Sequence, residues 1–218
     1  MGLIYMHDQG IIHGVLKGVR AELRSASYAG SRFPKASILI DRNGRARISD
    51  FGLLAIVSDQ ETFVASCIAG GMIPWMSPEL LDPEGSGLEM SLLTKESDCY
   101  ALGMVIYEIL SGLVPFTPST APILDILRGE RPERPQGEHG GWFTDGIWGM
   151  LELCWKPQPH DRPSLDAVLQ CLQDPTRPSG PPSRPESDAR KEADDQPSDS
   201  GAFCLLGLRS QAHPRPFL

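Results

Sequence analysis

The stretch that most restricts the fold runs from Cys99 to Leu110, where Glu108 is the one charge in an apolar dozen. Folded as a helix, it is apolar on nearly every side. A helix with no polar face needs neighbours all round, so this one is expected to be a buried axis. Both ends are marked. Thr94-Lys95-Glu96-Ser97-Asp98 supplies capping side chains ahead of it, and Gly112 stops it. It is too short to span a bilayer, which takes about 20 apolar residues.

The elements available to surround that axis are mostly helical. Residues 1–9 put Leu3, Ile4 and Met6 on a short helix ended by Gly10, and Ser77-Pro78 has the chemistry of a helix start. Residues 121–129, 142–155 and 164–173 predict three more helices. The exception is a hairpin: Ser37-Ile38-Leu39-Ile40 and Arg45-Ala46-Arg47-Ile48 flank Asp41-Arg42-Asn43-Gly44. The second strand leads into Asp50, on a turn that Gly52 permits. A carboxylate at that place suits an exposed metal ligand better than a core. Ile11 to Gly18 predicts a short strand and a loop. Residues 19–35, basic and Ser-rich without periodicity, predict a loop. Residues 53–74 predict a long connection of the kind that tends to be functional.

With 218 residues, 40% of them hydrophobic, the chain has length for one domain and a tail. The tail is expected over 174–218: six prolines fall among Ser, Asp, Glu, Arg and Lys before residue 200, with no apolar period. Its one apolar patch is Ala202 to Leu206, either a chance stretch or a docking peptide. A net charge of −8 argues against a nucleic acid or an anionic membrane as partner. The five cysteines are odd in number and form no close pair in sequence, which predicts reduced thiols and a cytoplasmic chain.

Taken together, the motifs resemble the C-terminal lobe of a eukaryotic protein kinase over residues 1–173. Ile12-His13-Gly14-Val15-Leu16-Lys17 resembles the catalytic loop, and Asp50-Phe51-Gly52 the magnesium motif. Ser77-Pro78-Glu79 resembles the Ala-Pro-Glu motif. Ser97-Asp98-Cys99-Tyr100-Ala101-Leu102-Gly103 resembles the start of the family's buried helix, and Cys154-Trp155 with Asp161-Arg162-Pro163 its closing motif. The wording is similar to the tyrosine-kinase-like branch, fungal kinases included. The fold implied is α+β by family and mainly α here: a helical bundle with a small catalytic hairpin. The resemblance also implies roles, with ATP and magnesium as cofactors. Asp50 and Gly52 would belong to the magnesium site, Lys17 would touch the γ-phosphate, and Leu39 would pack beneath the adenine. Glu79 and Arg162 would form a buried ion pair, and Asp98 would hold the catalytic-loop backbone.

The departures fall at the chemistry. The family's proton-accepting Asp is Val15, which accepts no proton. The second metal ligand, an Asn in the family, aligns with Arg20 by spacing and with Ser37 by its following strand. Met72 stands where a threonine is usual. Val15 to Ser37 spans 22 residues where the signature spaces those roles by about five, so 19–35 reads as an insertion. It is either a surface loop or a short intron retained in frame, which transcript sequencing across codons 20–37 distinguishes. The family's N-terminal lobe is expected to be missing. The apolar surface near Leu39 and Phe51 would then need cover from another segment or chain.

Three functions remain open. One is ATP-dependent Ser/Thr or dual-specificity phosphotransfer, expected to be inactive in this sequence, with a protein substrate. Another is a pseudokinase-like module that binds a protein partner, and the third is a truncated or mis-spliced fragment. Beside these stand plainer readings. His13 is expected to be a packed structural residue. His7, His139, His160 and His213 have no metal-ligand spacing. Trp75, Trp142, Trp148 and Trp155 are expected in the core. Lys17 is either a solvated charge or a phosphate contact.

Overall fold

A computed structural model describes residues 1–14, 16–21, 36–50, 60–137 and 140–174, all within one unit, Met1–Pro182. In chain order these form α1 (Gly2–Asp8), β1 (Val19–Ala21), β2 (Ile38–Ile40), β3 (Ala46–Ile48) and α2 (Gln60–Ala69). A 3-10 turn, Ile73–Trp75, precedes α3 (Pro78–Leu81), α4 (Lys95–Ser111), α5 (Pro122–Leu127) and α6 (Asp145–Cys154). A second 3-10 turn, Pro159–Asp161, leads into α7 (Leu165–Gln173).

α4 is the expected axis. Tyr100, Met104 and Val105 are fully enclosed, and α6, β1 and both 3-10 turns pack on it. Its N-terminus is closed by a reciprocal cap. Ser97 donates its backbone N–H to Thr94 Oγ1 at 3.1 Å, and Thr94 donates its own to Ser97 Oγ at 3.0 Å. At the other end Gly112, at φ 72°, donates to the Glu108 carbonyl. The tightest approach is at Gly103. A Cβ there would stand 2.8 Å from Cys154 Cβ and 2.8 Å from Trp155 Nε1, so the absent side chain is what lets α6 and Trp155 reach the axis. Trp155 meets Tyr107 and Trp148 edge-on, at 6.1 and 5.7 Å. A second apolar cluster, including Cys67, Ile73, Leu80 and Ile126, ties α2, α3 and α5 together.

The hairpin forms in the predicted place. β2 and β3 pair antiparallel with Ile38 opposite Ile48 and Ile40 opposite Ala46. Asp41 Oδ1 accepts the backbone N–H of Asn43 and of Arg45, both at 2.9 Å, which holds the turn. These backbone donors, with Arg47 beside it, keep the Asp41 carboxyl below its ordinary value.

Several expectations are corrected. Part of the predicted loop 19–35 is strand: β1 pairs with β2 in parallel, Val19 opposite Ile38, making a three-stranded mixed sheet. A three-residue strand gains its backbone bonds from a partner that local sequence cannot announce. The described residues of Ile11 to Gly18 contain no strand. The predicted connection 53–74 holds α2, whose weak amphipathicity hid it. Trp142 is 69% exposed, while Trp75 and Trp155 are core and Trp148 is half-buried. Ser77 is the N-cap of α3, yet its hydroxyl makes no capping bond. The expected tail beyond Asp174 lies outside the described residues. Among the described residues no helix is long and apolar enough to cross a membrane.

Candidate functional site

The site is organised by one carboxylate from the first turn of α4. Asp98, 1% exposed, accepts the backbone N–H of His13 on Oδ2 and that of Gly14 on Oδ1, each at 2.8 Å. His7 Nε2 donates to the same Oδ2 at 2.8 Å. Three donors on a buried carboxylate make short, charge-assisted bonds, so the loop after α1 is pinned to the core. Gly14 takes φ 83°, and a Cβ there would fall 2.7 Å from Leu93 Cδ1. The position requires glycine on both counts.

Backbone bonds then lace the loop to the sheet. Ser37 donates its N–H to Lys17 O, and Ser49 donates to Ser37 O, both at 2.8 Å. His13, fully buried, donates Nε2–H to Ser49 O at 3.0 Å. Burial holds its imidazole below the ordinary histidine value, against an opposing pull from Asp98. His13 is therefore the packed, structural residue expected. His7, which lacked any metal-ligand spacing, is drawn into the clamp on Asp98. The signal for this was its place four residues after Leu3 on the buried face of α1.

The chain thus brings Lys17, Ser37, Leu39 and Asp50 onto neighbouring segments. Lys17 is 9% exposed, and its Nζ donates to Gly70 O at 3.2 Å, which corrects the reading of a solvated charge. Ser37 is 1% exposed and Leu39 half-buried in β2. Asp50 is exposed at φ 60°, a conformation Asp tolerates better than most residues. Val15, Phe51 and Gly52 lie outside the described residues. For magnesium, the described residues supply the exposed carboxylate of Asp50. Among them, no group of three or more His, Cys, Asp or Glu is arranged to hold a metal. Magnesium is commonly held by one or two carboxylates together with waters and substrate phosphates, and Asp50 could supply one such carboxylate.

The far side of the clamp is held by Glu79 and Arg162. Arg162 Nη1 and Nη2 donate to Glu79 Oε1 and Oε2 at 2.6 and 2.7 Å, both side chains being buried. The guanidinium also donates to the carbonyls of Lys156, Glu96 and Pro157 and lies over the Tyr100 ring, 5.1 Å from its centre. The pair is buried as expected, and it joins α3 to the 3-10 turn before α7 rather than to a second helix.

A sequence profile described as "Protein tyrosine and serine/threonine kinase" matches residues 33–172. A light-sensor protein kinase of Ceratodon purpureus is 29% identical over 79% of this chain and 13% of its own length. A serine/threonine-protein kinase of Arabidopsis thaliana is 25% identical, covering 79% of this chain and 25% of its own. A cytokinesis protein of Emericella nidulans is 28% identical, over 78% and 10% respectively. The chain therefore spans a quarter or less of these relatives.

Proposed function

We propose a function for a chain that belongs to the protein tyrosine and serine/threonine kinase family: it keeps the catalytic-loop scaffold of a tyrosine-kinase-like Ser/Thr or dual-specificity kinase but transfers no phosphate by itself. One observation carries this reading. Asp98 holds the N–H groups of His13 and Gly14 at 2.8 Å, which supports reading this segment as the catalytic loop, and the next residue is Val15. A side chain without a lone pair neither accepts the substrate's proton nor orients its hydroxyl. ATP and magnesium are the family's cofactors. In this chain Asp50 would contact the metal and Leu39 the base, and Lys17 would reach the γ-phosphate only by leaving Gly70.

The test uses the full chain with radiolabelled magnesium-ATP and a degenerate Ser/Thr/Tyr peptide library. The expected result is no label above an Asp50→Ala control. Label above that control overturns the reading.

A second reading, a pseudokinase-like protein-binding module, is favoured by Leu88, Met90 and Leu92. These are 38%, 59% and 54% exposed on the segment before α4, where three apolar side chains stand in solvent as a surface for a protein partner. A peptide array bound equally by the chain and by its triple serine variant at these positions would remove it.

A further inference from the structure

Cys99 and Cys154 meet where α4 and α6 come closest. Cys99 lies one turn before Gly103, on the same face of α4, and a Cβ on Gly103 would stand 2.8 Å from Cys154 Cβ. The missing side chain lets the last residue of α6 sit against the first turns of α4. As a result the two sulfurs lie 3.8 Å apart, both as free thiols and both buried. A disulfide needs about 2.0 Å between sulfurs and about 3.5–4.5 Å between its Cβ atoms. The sulfurs would have to close from 3.8 Å to bonding distance.

Cys99 is 2% exposed, and its Sγ donates to Pro163 O at 3.2 Å. Cys99 lines a cleft whose walls include His7, Lys95, Glu96, Arg162 and Asp166. Cys154 sits behind it, fully enclosed. Contact with the Cys99 thiol, with burial second, pushes the Cys154 thiol well up, while Arg162 pulls the other way.

We propose that Cys99 and Cys154 are a latent dithiol that peroxide closes to a disulfide, stapling α4 to α6. In the first step Cys99 Sγ attacks one peroxide oxygen. The O–O bond breaks, water leaves, and Cys99 becomes a sulfenic acid. Cys154 Sγ then attacks that sulfur, the S–O bond breaks, and a second water leaves. Two thiols are oxidised and one hydrogen peroxide is reduced to two waters. Asp98 adjoins Cys99, so the staple fastens the turn that holds His13 and Gly14.

The experiment treats the native full chain with hydrogen peroxide, blocks remaining thiols with iodoacetamide and digests with chymotrypsin, which cuts after Trp155 and so separates Cys154 from Cys171. Mass spectrometry without reduction should find the Cys99–Cys154 linked peptide, absent when peroxide is omitted. The oxidised chain should melt about 5–10 °C higher, and dithiothreitol should abolish the shift. A Cys99→Ala chain should show neither link nor shift; if it does not fold, the peptide map of the natural chain decides alone. Alkylated Cys99 and Cys154 after peroxide, or a link from Cys154 to Cys171 in place of Cys99, overturns the proposal.

Discussion

Asp98 Oδ2 stands 2.8 Å from the backbone nitrogen of His13, across 85 residues of sequence. That bond and its partner to Gly14 are what make the loop after α1 part of the core. Replacing Asp98 by Ala strands two backbone donors and the His7 ring N–H. Each buried orphan costs about 1–3 kcal/mol. Asp98→Ala should therefore lose roughly 3 kcal/mol or more in urea denaturation, and its loop amides should lose hydrogen-exchange protection first.

The pair Glu79–Arg162 should show strong coupling. Breaking a buried, hydrogen-bonded ion pair costs about 3–5 kcal/mol, because one charge stays buried alone. Arg162→Ala should be at the upper end, since three backbone carbonyls also lose a donor. The double Ala variant should lose at least about 1 kcal/mol less than the sum of the single losses, read from a double-mutant cycle in guanidinium.

Gly103→Ala sets two effects against each other. Alanine gains about 1 kcal/mol of helix propensity over glycine. The new methyl meets Cys154 Cβ and Trp155 Nε1 at 2.8 Å, and overpacking of a dense core costs about 1–3 kcal/mol. Both neighbours are enclosed, so the clash should win. The expected result is a lower melting temperature and a changed Trp155 fluorescence.

His13 predicts a pH dependence. Its folded value lies below the ordinary 6.5, so the unfolded chain takes up the proton before the native one does. Stability from this residue is therefore fully present above about pH 6.5 and falls as the pH drops through 6.5 towards the folded value. The chain should lose more stability between pH 7.5 and 5.5 than a His13→Gln variant does. Parallel urea titrations at the two pH values check this, and equal losses would count against the assignment.

Much of this architecture was legible because its causes are local. Asn43-Gly44 between two β-prone runs specifies the hairpin, and Thr94 with Gly112 brackets the one helix that is apolar all round. The family resemblance supplied the two long-range carboxylate contacts, Asp98 to the loop and Glu79 to Arg162. What stayed hidden depends on partners distant in sequence. Val19-Arg20-Ala21 is a strand only because Ile38–Ile40 lies beside it. Gln60–Ala69 carries no clear apolar stripe, so its helix is fixed by Cys67 entering the second cluster. The burial of Lys17 depends on Gly70 arriving from the far end of that helix. Trp142 shows the opposite failure: its ring size predicted burial, while its place just before Thr144, the cap of α6, leaves it in water.

The parallel pairing of β1 with β2 makes the length of the intervening segment a topological requirement. Two parallel neighbours cannot be joined by a tight turn; the chain must travel back about a dozen residues or more before the second begins. A transcript that joined the region of Gly18 directly to that of Ser37 would leave β2 with one neighbour, not two. It would open a row of backbone donors and acceptors along the side that β1 now occupies. The long and short forms would thus be two differently bordered proteins, and the short one would carry a free strand edge inviting pairing with another chain.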